Sequence, residues 1–173
     1  MELTHIFIDM DGVLTDLDSY FKKNFQGNPY HFTREWRRNF MVAKTNYVNE
    51  RMFANLEPNP NIKDFHKLVN HMKERYIKVG ILTSLGNMSH RCDIYNQKKE
   101  WLDKNGFENV NYLAVQDCNL KSIHAHPGAA LIDDKMENCE SFTFNSGQFA
   151  LQYNMKKHKE CFDVLYQELG IER

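Results

Sequence analysis

No charge of one sign dominates this chain, no stretch is apolar enough to span a bilayer, and the cysteines form no paired motif. Each absence removes a class of protein. Lys and Arg number 22 and Asp and Glu 23 over 173 residues, a formal net charge of -1. That balance argues against a protein that coats a polyanion, while leaving room for a local basic patch. The four cysteines, Cys92, Cys118, Cys139 and Cys161, are scattered with no C-x-x-C spacing. They read as reduced thiols of an intracellular protein, neither a disulfide framework nor a zinc site. No apolar run approaches the roughly 20 residues of a membrane span, and no basic region followed by an apolar stretch opens the sequence. The expectation is a soluble, cytoplasmic protein with no membrane partner. There is no internal repeat or low-complexity tract, and the length suits one domain or one core with a small appendage.

What is present alternates. Leu3–Ile8 is a short β-branched and aromatic run, fit for a strand buried on both faces. Tyr76–Thr83 is a second such run, Val110–Val115 a third and Ala129–Ile132 a fourth. Between them lies helical periodicity. Ile62, Phe65, Leu68, Val69 and Met72 recur at steps of three and four. Asn87–Asn105 reads as a polar, exposed crossover helix closed by Gly106, and Met155–Leu169 as a terminal amphipathic helix. The pattern predicts a doubly wound α/β fold with a parallel sheet between helices. Residues 17–60 break the rhythm, being too long for an ordinary connection. They are rich in aromatic and basic residues, and Phe32, Trp36 and Phe40 share one helix face. The stretch is expected to form a small helical cap inserted after the first strand, over the sheet's carboxyl edge, with 1–16 and 61–173 as the core.

Ligands of an open parallel sheet bind outside the carboxyl ends of its strands. Polar residues collect at those ends here: Asp9 and Asp11 after the first strand, Thr83 and Ser84 after the second, Lys121 after the third, and Asp133 and Asp134 after the fourth. Two acids flanking Met10 repel each other unless something positive intervenes. Magnesium takes oxygen ligands and usually one or two protein carboxylates, so Asp9, Asp134 and a backbone carbonyl are candidate ligands. Gly12 lets the chain turn sharply beside them.

These residues resemble the four motifs of the haloacid dehalogenase (HAD) superfamily of phosphatases: "DMDGVLTD", the hydroxyl of "ILTS", the lysine of "NLKSIHA" and the acids of "LIDDK". Within it, "MFANLEPNPNIKDFHKLVNHM" and "ILTSLGNMSHRCDIYNQKKEWLDKNG" resemble segments of 5'(3')-deoxyribonucleotidases, although Leu17 stands where those enzymes usually place an aromatic. The resemblance implies a HAD-type, Rossmann-like core and magnesium-dependent hydrolysis of phosphomonoesters through an aspartyl-phosphate. Its substrate would be a small nucleoside monophosphate, with no stable nucleic-acid partner, and the homodimer common among those enzymes is allowed. Asp9 would be the nucleophile, and Asp11 the general acid and base, whose backbone carbonyl also binds metal. Thr83, Ser84 and Lys121 would hold the phosphoryl oxygens; Asp134 would bind magnesium directly, and Asp133 would orient Lys121 or a metal-bound water.

Blander readings stand beside these. A D-x-D can be a solvated turn, Thr83 and Ser84 can simply end a strand, and Lys135 competes with Lys121. His124 and His126 form an H-x-H without a third soft ligand and read as a loop. Aromatics at helical spacing mainly pack; of the stretch before the first core helix, Trp36 and Phe53 are the best candidates to face a substrate. Two alternatives remain: a phosphatase acting on a polymer end (a nucleic-acid 3'-phosphate or a phosphoprotein), and a phospho-accepting receiver module. The cap weighs against the first, and the order of the acids weighs against the second.

Overall fold

The computed structural model describes residues 2–24, 51–86 and 90–171. Five strands, β1 (His5–Ile8), β2 (Lys78–Ser84), β3 (Asn111–Val115), β4 (Ala129–Asp133) and β5 (Phe149–Gln152), form one all-parallel sheet in the order β3-β2-β1-β4-β5. The doubly wound α/β expectation therefore holds. Among the described residues five α-helices accompany it: α1 (Leu17–Asn24), α2 (Ile62–Glu74), α3 (Arg91–Lys104), α4 (Met136–Phe144) and α5 (His158–Leu169).

Alternation along β1 decides which side each residue serves. Ile6 and Ile8 face the larger cluster, packed with Phe65, Leu68 and Met72 of α2, Ile94 and Trp101 of α3, and Phe162 and Leu165 of α5. Phe7 faces the other side, with Leu82, Leu131 and Phe142 of α4. Chain crossovers toward β2 and β3 thus lie on one face and those toward β4 and β5 on the opposite face. The switch falls at β1, where such sheets open a crevice. Register aligns Ile8 with both Ile81 and Ile132, which sets Asp9 level with Asp133.

Several boundaries differ from the sequence reading. Tyr76 does not begin β2. It closes α2 in the left-handed region at φ 60°, with its N–H and that of Ile77 donating to Lys73 and Met72 carbonyls, and its ring is 95% exposed. Nor is α3 merely an exposed crossover helix, because Ile94, Gln97, Lys98, Trp101 and Leu102 are buried along one face. β5 and α4 went unread: four residues give little periodicity, and α4 buries Asn138 and Cys139 beside Phe142.

Of the stretch expected as a cap, 17–24 is α1 and residues 25–50, including Trp36, lie outside the described residues. Residues 51–60 lie against the core. Met52, Phe53 and Leu56 are buried within it. Trp101 donates from Nε1 to the Leu56 carbonyl at 2.7 Å, and Gln97 accepts from the Phe53 N–H at 3.2 Å. Asn59, fully buried, donates to the Val13 carbonyl at 2.6 Å and to the Tyr153 hydroxyl at 2.9 Å, and accepts from the Asn61 N–H. One amide therefore ties the loop after β1 to the start of α2 and the end of β5.

Candidate active site

Strand order and register bring the sequence-selected residues to one rim. Asp9 continues the β1 ladder, its N–H donating to the Ile132 carbonyl at 2.8 Å. The residue is 4% exposed. Oδ1 accepts from the Met10 N–H at 2.7 Å and pairs with Lys121 Nζ at 2.8 Å. Lys121, also buried, comes from a 3-10 helix (Cys118–His124) leading from β3 to β4, and its ammonium also meets Asp133 Oδ2 at 2.6 Å. Burial works against that ammonium, but Asp9 and Asp133 outweigh it and hold the lysine above its ordinary pKa. The competing Lys135 donates its backbone N–H to Asp133 Oδ1 at 2.9 Å, and its charge opposes the rise of the Asp134 carboxyl.

The two acids after β4 occupy different environments. Asp133 is saturated: Asn138 Nδ2 spans both its oxygens at 2.9 and 3.0 Å, in addition to Lys121 and the Lys135 N–H. Asp134 has a buried Oδ1 with no hydrogen-bond partner among the described residues. Its carboxyl is pushed up to about 8, first by burial and then by the charges of Asp9 and Asp133. Asp9 is raised to about 6 by burial, with Lys121 opposing and Asp133 and Asp11 adding to the rise. Gly12 makes the approach possible. It sits at φ 84°, and a Cβ there would lie 2.6 Å from Asp134 Oδ2.

A fit for a hard divalent cation follows from these observations. Carboxylate oxygens of Asp9, Asp133 and Asp134 lie within 4.8 Å of one another. Asp133 has its oxygens engaged, whereas Asp134 has an orphaned one. An all-oxygen donor set with a buried, unpartnered carboxylate atom suits magnesium chemistry.

The other half of the rim centres on a residue that sequence reasoning did not select. Lys98, fully buried, reaches from α3 to Asp11 Oδ2 at 2.5 Å, Thr83 Oγ1 at 2.8 Å and the Ser84 carbonyl at 2.9 Å. Its ammonium also sits 5.0 Å from the centre of the Phe53 ring. Asp11 Oδ1, like that of Asp134, is buried and unpartnered among the described residues. Thr83 is fully buried, and Ser84 accepts on Oγ from the Gly86 N–H at 3.1 Å. Phe53, selected as a substrate-facing ring, is 3% exposed and lies beneath Lys98. Its contacts are those of a supporting core residue. The sequence did carry a signal for Lys98: it falls on the buried stripe of α3, with Ile94 and Trp101 at steps of four and three.

His124 and His126 are placed on the opposite flank of the sheet, with ring contacts to Phe7 and His5 at 5.8 and 4.9 Å. Among the described residues, no helix is long and apolar enough to cross a membrane.

No protein-family model matches the chain, and no curated protein does. Among solved structures it is similar to YfnB of Bacillus subtilis, described as a HAD-hydrolase and solved bound to magnesium. That similarity has a TM-score of 0.56 at 11% identity, covering 99% of this chain and 100% of the other. At that identity the likeness is one of fold: an α/β domain with an all-parallel sheet flanked by helices.

Proposed function

We propose that the protein is a magnesium-dependent phosphomonoester hydrolase working through an aspartyl-phosphate on Asp9, with nucleoside monophosphates as its substrates. The observation that carries this reading is the asymmetry of Asp9. Oδ1 is engaged by Lys121 and the Met10 amide, which orients the carboxylate and leaves Oδ2 as the attacking atom. With its pKa near 6, Asp9 is mostly ionised at neutral pH.

In the first half-reaction an Asp9 oxygen forms a bond to phosphorus as the ester oxygen leaves, and Asp11 gives that oxygen a proton. In the second, water attacks phosphorus, Asp11 takes the water's proton, and the Asp9 carboxylate is released. The net change is ester plus water to alcohol plus phosphate. Lys121 and the Thr83 hydroxyl are placed to meet phosphoryl oxygens whose charge shifts during transfer. Asp9, Asp134 and the Asp11 backbone carbonyl are the groups that would hold magnesium. Bound there, the ion would offset the negative charge of the acids and the phosphoryl group. Asp133, held by the Asn138 amide, acts through Lys121.

The nucleotide substrate is supported by the likeness of residues 52–72 and 81–106 to deoxyribonucleotidase segments. A phosphate-release screen over nucleoside 5'- and 3'-monophosphates, an aryl phosphate and an oligonucleotide bearing a 3'-phosphate, with magnesium or with EDTA, tests both levels. Magnesium-dependent release from mononucleotides is expected, with the oligonucleotide poor. Oligonucleotide turnover equal to that of mononucleotides would replace the nucleotidase reading with a polymer-end phosphatase. Full activity in EDTA would remove the metal.

A further inference from the structure

We propose that Lys98 is a positioning residue of this site, one ammonium that fixes the general-acid carboxylate of Asp11 and the hydroxyl of Thr83 relative to each other. The inference rests on the phosphoryl-transfer reading above and extends it to a residue outside the four motifs.

An ammonium has three N–H donors and no acceptor. Those of Lys98 meet three acceptors: Asp11 Oδ2, Thr83 Oγ1 and the Ser84 carbonyl. The side chain is removed from water, and the Phe53 ring lies against the charge. A fully desolvated ammonium needs a partner for every proton, so these three acceptors cannot move independently. They belong to different segments, Asp11 after β1 and Thr83 with Ser84 at the end of β2. Lys98 is the one side chain among the described residues that bonds to both.

The direction of each bond determines what remains for a substrate. Thr83 accepts from Lys98, so its own hydroxyl proton is left to donate to a phosphoryl oxygen. Asp11 is held through Oδ2, so the unpartnered Oδ1 is the atom left to exchange a proton with the leaving group or water. Lys121 serves Asp9 and Asp133 in the same manner. The site thus has one lysine for the nucleophile and another for the acid. A purely structural lysine would also cost stability when removed, but it would not act through Asp11.

Lys98→Met removes the charge and keeps the length. Its kcat on a nucleoside monophosphate, whose leaving alkoxide needs a proton, is expected to fall about 10²-fold, with a smaller loss on p-nitrophenyl phosphate. In an Asp11→Asn background the same change should cost less than about threefold, because residues acting as a unit are not additive. A loss equal on both substrates, or one that multiplies fully with that of Asp11→Asn, would overturn the proposal.

A second measurement needs neither turnover nor a folded Lys98→Met. In ¹H–¹⁵N spectra of the lysine ammonium groups, Lys98 should exchange slowly, and Asp11→Asn should speed its exchange at least about tenfold while leaving Lys121 unchanged, because a buried ammonium depends on its partner. Unchanged exchange at Lys98 would show that it does not hold Asp11. If no phosphomonoester is turned over, the hydrolase reading fails, and this exchange measurement decides the Lys98–Asp11 coupling by itself.

Discussion

Replacing the ionisable carboxyl of Asp134 with an amide should stabilise the metal-free protein. The folded carboxyl titrates near 8 because burial and the charges of Asp9 and Asp133 oppose its ionisation. In the unfolded chain it titrates near its ordinary value of about 4. Between those values the folded state holds a proton that the unfolded state has lost, so stability falls as pH rises from about 4 to about 8. At pH 7 roughly three pH units separate the medium from the unfolded pKa, and at 1.36 kcal/mol per unit the penalty has a ceiling of ~4 kcal/mol. Asp9 shares the same field and can relax once its neighbour is neutral, which lowers the gain from Asp134→Asn to about 1–3 kcal/mol. For a chain of this size that is a rise in Tm of roughly 3–10 °C.

The assay is thermal unfolding of wild type and Asp134→Asn in EDTA at pH 6 and pH 8. The variant's advantage should be larger at pH 8, where the wild-type penalty is closer to complete. Magnesium should reverse the order, since a ligand at a hundred times its Kd adds ~3 kcal/mol to the protein that binds it. Asn keeps the shape beside Gly12, so steric relief does not enter. A metal-free Asp134→Asn less stable than wild type at pH 8 would refute the reasoning and show the carboxylate to be stabilised by something other than a cation.

Three further changes follow from named contacts. Gly12→Ala places a methyl where Asp134 Oδ2 lies and at φ 84°, so it should abolish the magnesium-dependent rise in Tm and cost about 1–3 kcal/mol by denaturant titration. Lys121→Met strands Asp9 and Asp133, both buried. It should cost ~3–5 kcal/mol at pH 7, with less loss at pH 5, where Asp9, raised to about 6, is mostly protonated; an equal loss at both would remove the Asp9 charge from the account. Tyr76→Gly should raise stability by about 0.5–1 kcal/mol, because the residue has a left-handed φ and an exposed ring. Lower stability would show the ring to have a contact worth more than the strain.

The sequence displayed the strands buried on both faces, because continuous apolar runs ending in acids or hydroxyls leave few alternatives. It also displayed the rim: Asp9, Thr83, Lys121 and Asp133 are neighbours because parallel strands in register all end on one side. Lys98 was hidden by its type. A lysine in a polar helix passes for a solvated charge, and only its place on the stripe between Ile94 and Trp101 marks it as buried. Phe53 presents the opposite case. An aromatic beside a substrate-like segment passes for a stacking ring, but the Gln97 and Trp101 bonds to its neighbourhood draw it beneath Lys98. The end of α2 misled for a local reason, since a tyrosine before an apolar run looks like strand until its φ is known.

Charge balance explains why two acids can stand on either side of Met10. Asp9 and Asp11 do not share a counter-charge: Lys121 arrives from the β3–β4 connection for the first, and Lys98 from α3 for the second. The connections carrying them lie on opposite faces of the sheet, which is what a switch at β1 provides. Four carboxylates, Asp9, Asp11, Asp133 and Asp134, then face two ammonium groups in close contact, which leaves an excess of two negative charges when all are ionised. Protein groups satisfy three of those acids in part or fully, and the deficit collects on Asp134, which has an orphaned oxygen, no lysine contact among the described residues and a carboxyl pushed up to about 8. A divalent cation cancels that excess and supplies the missing partner in one step, whereas a third lysine would cancel only half of it. Under the proposed function the same accounting predicts an order of binding. A phosphoryl group would bring further negative charge, so filling the cation site should precede tight binding of an anionic substrate, and phosphate-analogue binding measured calorimetrically should weaken sharply in EDTA even where no chemistry occurs.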